Sequence, residues 1–348
     1  MCVFPVNAQE VERTEDTMEA EVVEILEEKE IEVMGETQLY QKLKLTVTNG
    51  LLKDRVIEIE NGDVPVVNQV TYQKGDAVIV QKSEGVDGSE LYFISDFVRR
   101  DPIYALFLVF VVLALLIAKK RGFTSLLGMA VSFLIIFTLI LPQISKGTNP
   151  VLMAILGSLL IIPVTFFLSH GVSRKTTTAI AGTLVSLVVT GILASVFVSE
   201  ANLSGFASEE AGFLQVATGG TINIKGLLLA GIIIGALGVL DDITIAQASL
   251  VYELKKTNKK LNFDKLYQQA MKVGQDHIAS MVNTLILVYT GASLPLLLLF
   301  IDSPRPFSEV INYEIIAGEI IQMLVGSIGL IIAVPVTTFL ACFVAENE

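Results

Sequence analysis

Beyond residue 101 the sequence breaks into seven apolar stretches, at 103–118, 123–141, 150–168, 178–198, 225–240, 279–301 and 317–344. An α-helix rises about 1.5 Å per residue, so about 20 apolar residues cross the hydrocarbon core of a bilayer. Most of the stretches meet that length. The first and fifth are short, and reach it with residues 98–102 and with 221–224 or the Asp241-Asp242 end. A backbone in hydrocarbon has no water to bond to, so a spanning segment of this kind must be helical. An α-helical polytopic membrane protein is expected, with the lipid bilayer as its first partner.

Charge separates a second region. Only 17% of the 348 residues are charged, against about a quarter in a soluble domain. Residues 1–101 carry 22 acidic and 10 basic side chains, whereas residues 102–348 carry 14 of each. The net charge of −12 therefore belongs to the N-terminal part. Within it, 22–26, 43–48, 56–59, 77–81 and 91–94 are short β-branched runs of alternating polarity. Asn49-Gly50, Asn61-Gly62, Gly75-Asp76 and Asp87-Gly88 punctuate them as turns. Five such strands predict a small all-β domain at 19–98, an open barrel of OB or SH3-like type. Its acidity argues against nucleic acid, since phosphate contacts need Lys and Arg. A protein-binding or gating role and an inert cap both remain open. Residues 1–18 form a separate segment. Val6-Asn7-Ala8 before Gln9 reads equally as the end of a signal peptide whose apolar part lies upstream, or as a short disordered terminus.

Basic residues set the orientation. Lys119, Lys120 and Arg121 follow the first stretch, Arg174 and Lys175 the third. Lys255, Lys256, Lys259, Lys260, Lys265 and Lys272 lie between the fifth and sixth, making 11 on one side. The opposite loops hold Lys146, Lys225 and Arg305, with Arg99 and Arg100 before the first stretch. The expected body, 99–348, thus has seven helices, with the β domain outside and the C-terminus in the cytoplasm of a bacterial cell.

Polar residues within the spans are the candidate site, because they are costly in hydrocarbon unless turned toward protein or water. Gly231, Gly235, Gly238, Asp242, Ala246 and Ser249 recur three or four apart and share one helical face. The three glycines are expected to let the sixth span approach the fifth closely. Asp242 on that face is either a functional carboxylate or an interfacial anchor. In the sixth span Asp276, Ser280, Asn283, Thr284, Leu287 and Gly291 form a comparable face, with His277 beside it. Two such faces joined by one cytoplasmic loop would gather Asp242, Asp276, His277, Ser280, Asn283 and Thr284 into an ion or substrate path. The alternative is simple hydrogen bonding between helices. Residues 263–271 are expected to form a basic amphipathic surface helix.

Pro163 and Pro335 sit in similar heptapeptides, Ile162-Pro-Val-Thr-Phe-Phe-Leu168 and Val334-Pro-Val-Thr-Thr-Phe-Leu340. Each is expected to kink its helix. Chance recurrence explains the likeness better than an internal repeat. Cys2 and Cys342 stand at opposite ends, and His170 and His277 are the only histidines, so neither a disulfide framework nor a metal site is expected. No Gly-x-x-x-x-Gly-Lys-Ser/Thr, Gly-x-Gly-Asp or His-Glu-x-x-His occurs, and neither a cofactor nor enzymatic activity is expected.

The run Gly235-Ala-Leu-Gly-Val-Leu-Asp-Asp-Ile onward to Glu253-Leu254 resembles the YibE/F-like family of bacterial multi-pass membrane proteins. So does Gly274-Gln-Asp-His-Ile-Ala-Ser-Met-Val-Asn-Thr-Leu-Ile-Leu-Val-Tyr-Thr-Gly291. Gln275 stands where the family pattern has Arg. The resemblance extends over nearly the whole chain, the β domain included, and implies a plasma-membrane protein without fixing a biochemical role. From the residues, a secondary transporter or permease for a small solute or ion is the leading expectation. A scaffold or sensor whose outer β domain binds a protein partner comes second, and an intramembrane enzyme pairing Asp242 with Asp276 comes third. A homo-oligomer remains open.

Overall fold

Alternation along the N-terminal strands resolves into a five-stranded antiparallel sheet: β1 (Asp16–Val33), β2 (Glu36–Asn49), β3 (Val56–Asn61), β4 (Ala77–Glu84) and β5 (Glu90–Phe97). The computed structural model describes residues 16–33, 35–50, 52–65, 69–84, 88–301 and 305–346. The N-terminal segment through residue 15, Cys2 and the Asp87 turn position lie outside them. All five expected strands fall within observed ones. Strand order is β3-β2-β1-β4-β5, and the end strands β3 and β5 approach each other. β1 is the central strand, pairing with β4 over residues 16–21 and with β2 over residues 19–33, with register irregularities near Glu19, Val22 and Ile25.

One face of this sheet holds Met18, Ala20, Val22, Leu43, Leu45, Val47, Ile57, Ile59, Val78 and Val80, all buried. The period of two in the sequence puts every second residue there. A buried polar residue completes the core. Gln41 Oε1 accepts from the Tyr72 backbone N–H at 2.9 Å, while Gln41 Nε2 donates to the Tyr72 carbonyl at 3.1 Å. Gln41 thus pairs like a strand with the segment that carries the Tyr72 ring into the core. Arg100 Nη2 donates to Glu19 Oε2 at 2.6 Å, tying the start of the first helix to β1.

The chain divides into two units, Met1–Val112 and Leu113–Glu348. The helical part comprises α1 (Arg100–Ile135), a π-helical turn (Ile136–Ile140), α2 (Leu141–Ser145), α3 (Pro150–His170), α4 (Arg174–Glu200), α5 (Glu209–Ala217), α6 (Ile224–Thr257), α7 (Phe263–Ala292), α8 (Leu294–Ile301), α9 (Phe307–Val310) and α10 (Glu314–Glu346). Five segments are long and apolar enough to cross a membrane, or six when α7 and α8, bent by 70°, count as one. The seven expected stretches are fewer here because the first two join in one 46-residue segment, Arg100–Ser145. Helical geometry breaks within it at Lys119, whose φ of 52° and ψ of −125° no helix contains.

α4, α6 and α10 pack closely on one another, with α7 on α10 and α6, and α3 on α6. Small residues permit this. A methyl group at Gly182 of α4 would overlap Thr337 Oγ1 of α10, and one at Gly329 of α10 would overlap Thr190 Oγ1 of α4. Neither Pro163 nor Pro335 ends its helix. Thr165 donates to the Ile161 carbonyl at 2.9 Å and Thr338 to the Val334 carbonyl at 2.6 Å, hydroxyl bonds within the turn around each proline. Residues 263–271 are not a separate surface helix. They begin α7, and Leu266 and Ala270 there are fully buried, so packing overrides the amphipathic reading. At the other end of the bundle Glu314 clamps the loop after α4, accepting from the backbone N–H of Ser204 at 2.6 Å and of Gly205 at 2.7 Å.

Candidate functional site

Side-chain caps fix where each polar helix begins. Asn223 Oδ1 accepts from the Gly226 N–H at 2.9 Å at the start of α6, and Asn262 Oδ1 accepts from the Lys265 N–H at 3.3 Å at the start of α7. From these starts the helical period determines which residues share a face, and contacts then determine what each face meets.

The α6 face of Gly231, Gly235, Gly238, Asp242 and Ala246 is exposed. A Cβ at Gly231 or Gly238 would have no neighbour within 4 Å. Gly235 comes nearest to anything, with Gln322 Nε2 and Tyr289 Oη each 3.9 Å from such a Cβ. Those two side chains are themselves bonded, Gln322 donating to the Tyr289 hydroxyl at 3.2 Å. On α7, Asp276, Ser280, Asn283 and Thr284 are exposed as well, and Thr284 Oγ1 donates to the Ser280 carbonyl of its own helix, at 3.0 Å. The expected packing of the three glycines against Ser280 and Asn283 is therefore absent among the described residues. The inward face of α7 is instead its apolar side, with Leu266, Ala270, Gly274 and Leu285 buried. His277, half-buried, carries a buried Nδ1 with no hydrogen-bond partner among the described residues.

Asp242 has a different neighbour from the one its sequence position suggests. It lies within Coulombic reach of His170, the last residue of α3, which also feels Lys175 and Arg121. The structure thus brings Asp242 to His170 and leaves Asp276 on the exposed side of α7.

Most buried polar side chains of the helices lie elsewhere, along a seam joining α4, α6, α7 and α10. The Thr183 and Thr244 hydroxyls are 2.6 Å apart. Gln247 Nε2 donates to the Ala270 carbonyl at 3.0 Å and to Thr338 Oγ1 at 2.8 Å, so one amide joins three helices. Ser186 and Thr190 are buried too, each donating at 2.8 Å to the carbonyl four residues before it. Gln247 Oε1 and Thr337 Oγ1 are buried without a hydrogen-bond partner among the described residues. Apart from Thr337 and Thr338, which follow Pro335 in its heptapeptide, these groups were not singled out from the sequence, although Thr183, Ser186 and Thr190 recur at three- and four-residue spacing. The seam holds helices together and bears no ionised group.

No group of three or more His, Cys, Asp or Glu side chains among the described residues could hold a metal ion. Cys342 is a buried free thiol.

The family model described as YibE/F-like protein matches residues 106–347, which covers the helices and stops short of the sheet. No curated protein and no solved structure matches the chain.

Proposed function

The chain belongs to the YibE/F-like family, and from that membership and its apolar helices we propose a plasma-membrane permease or secondary transporter for a small solute or ion. One observation carries the reading: two membrane-length helices keep Asp242, Asp276, Ser280, Asn283 and Thr284 on exposed faces. An Asp facing hydrocarbon costs about 2.5 kcal/mol or more at mid-bilayer and less toward the headgroups, so such faces suit water or a second protein surface. The glycines of α6 suit either, since they leave room for a passage or for a second copy of the chain.

On this reading the Lys119 break divides Arg100–Ser145 into two crossings, which restores seven. At about 1.5 Å per residue, 46 residues of straight helix would be more than twice as long as the hydrocarbon core is thick. The Lys and Arg excess then places the sheet outside and α10's end in the cytoplasm. The sheet is a partly closed OB or SH3-like barrel, a reading supported by its strand order and by the approach of β3 to β5. No covalent chemistry is assigned to the protein.

The second reading, a scaffold whose outer β domain binds a protein partner, is favoured by the separate placement of Asp242 and Asp276. Reconstituted vesicles distinguish the two. Ion or solute flux that is lost with Asp242→Asn and Asp276→Asn but kept with Asp241→Asn supports transport. Absence of protein-dependent flux across a panel of monovalent ions, divalent ions and small organic anions favours the scaffold.

A further inference from the structure

A cavity of about 260 Å³ opens where α3 ends, α4 begins and α6 passes, lined by Arg121, Ser169, His170, Lys175, Ala246 and Ser249. Its chemistry is one-sided. Arg121 and Lys175 have no ion-pair partner among the described residues, and both stand within Coulombic reach of His170. The first turn of α4 adds the positive end of a 27-residue helix, capped at Ser173, whose Oγ accepts from the Thr176 N–H at 3.2 Å. Ser169 and Ser249 add two hydroxyls. Asp242 is the one carboxylate among the described residues that acts on His170, and a single carboxylate leaves the two cations in excess.

We propose that this cavity binds a phosphate group, either that of an anionic lipid headgroup or free phosphate. A tetrahedral anion with several acceptor oxygens matches a guanidinium, an ammonium, hydroxyls and a helix N-terminus arranged around one space. The location fits as well. Arg121 closes the basic run Lys119-Lys120-Arg121, and α3 ends at His170 just before the basic start of α4 at Arg174 and Lys175, a concentration of positive charge that suits an anionic headgroup layer. Ala246 is exposed and continues the open α6 face of Gly238 and Asp242, so the cavity opens onto a surface that an acyl chain could follow. The proposal does not depend on transport.

The test is native mass spectrometry of the purified full-length protein with phosphatidylglycerol and, in parallel, phosphatidylcholine of the same acyl chains. Wild-type protein should retain phosphatidylglycerol preferentially. Each cation near a membrane surface contributes about fivefold in affinity, so Arg121→Gln with Lys175→Gln should weaken retention about 25-fold. Ser249→Leu fills the cavity while keeping every charge, and should weaken it too. Lys225→Gln, at the other end of α6, should leave it unchanged. Displacement of the lipid by millimolar inorganic phosphate identifies free phosphate as a competent ligand, and resistance to displacement assigns the site to the headgroup. Equal retention of both lipids by wild-type protein, or undiminished retention by the double variant, overturns the proposal. If the double variant does not fold, a salt series on wild-type protein decides: retention that is insensitive to ionic strength overturns it.

Discussion

Gln247 Nε2 donates to Thr338 Oγ1 at 2.8 Å, and through its second hydrogen to the Ala270 carbonyl, so α6 holds α10 and α7 by one side chain. Hydrogen bonds between membrane helices contribute about 0.6 kcal/mol on average and up to about 2 kcal/mol. Gln247→Leu removes both bonds and keeps the volume; Thr338→Val removes one and leaves the amide bonded to Ala270. Thermal unfolding in detergent should therefore show a larger loss for Gln247→Leu, about 1–2 kcal/mol, than for Thr338→Val, about 0.6 kcal/mol. Equal losses would mean that the Thr338 contact alone, and not the Ala270 contact, holds the seam.

Glycine position matters more than glycine spacing. Gly182 faces Thr337 directly, so Gly182→Leu has to push α4 from α10 and should cost more than about 3 kcal/mol, enough to prevent assembly. Gly238 faces open space, and Gly238→Leu should leave the fold of the single chain intact. Expression and monodispersity of the two variants in one detergent compare them. A folded Gly238→Leu protein whose oligomeric state has fallen would identify the α6 stripe as a contact between copies. Equal damage from both substitutions would mean that a neighbour covers Gly238.

This contrast marks the limit of what the sequence discloses. Periodicity correctly grouped Gly231, Gly235, Gly238 and Asp242 on one face, and Asp276, Ser280 and Asn283 on another. It could not say which neighbour each face meets, because that depends on how four other helices pack. The residues that do seat helices are Gly182 and Gly329 in apolar text and Gly274 beside Gln275 and Asp276, and their spacing does not mark them as contacts. The strands were legible because a half-buried strand writes its burial in alternate residues: Leu43, Leu45 and Val47 are inside. Gln41 continues that alternation into the core as a polar residue, and only its bonds to Tyr72 explain it. Asp242 was singled out from the sequence as a polar residue of interest, but its Coulombic neighbour His170 was not. The orientation rule contained that clue, since it puts the end of the third span and the end of the fifth on one side.

The sheet should weaken in acid through a known carboxylate. Glu90 is held below the ordinary Glu value of 4.5, first by the hydrogen bond from Lys82 at 2.7 Å and then by that from Tyr92 at 2.6 Å. A carboxyl whose pKa is lower in the folded state adds stability above its unfolded value, and that stability is lost as pH falls through the folded value. The window therefore lies below pH 4.5. Amide hydrogen exchange of β4 and β5 in the full-length protein should lose protection there in wild type and less so in Glu90→Gln. The pair is exposed, so added salt should shrink the difference. Identical acid profiles for the two proteins would show that Glu90 does not contribute.

Orientation is the last test, and the charge distribution makes it strict. With 11 Lys and Arg on the loops after α1's break, after α3 and between α6 and α7, Thr257 at the end of α6 should face the cytoplasm. Ser89, just before β5, should face outward. Cysteines placed singly at these positions, with Cys2 and Cys342 replaced by Ala, report through a membrane-impermeant maleimide on intact cells. Ser89→Cys should label without lysis and Thr257→Cys only after it. Labelling of Thr257→Cys in intact cells, with Ser89→Cys protected, would invert the protein and move the phosphate cavity beside Arg121 and Lys175 to the outer leaflet.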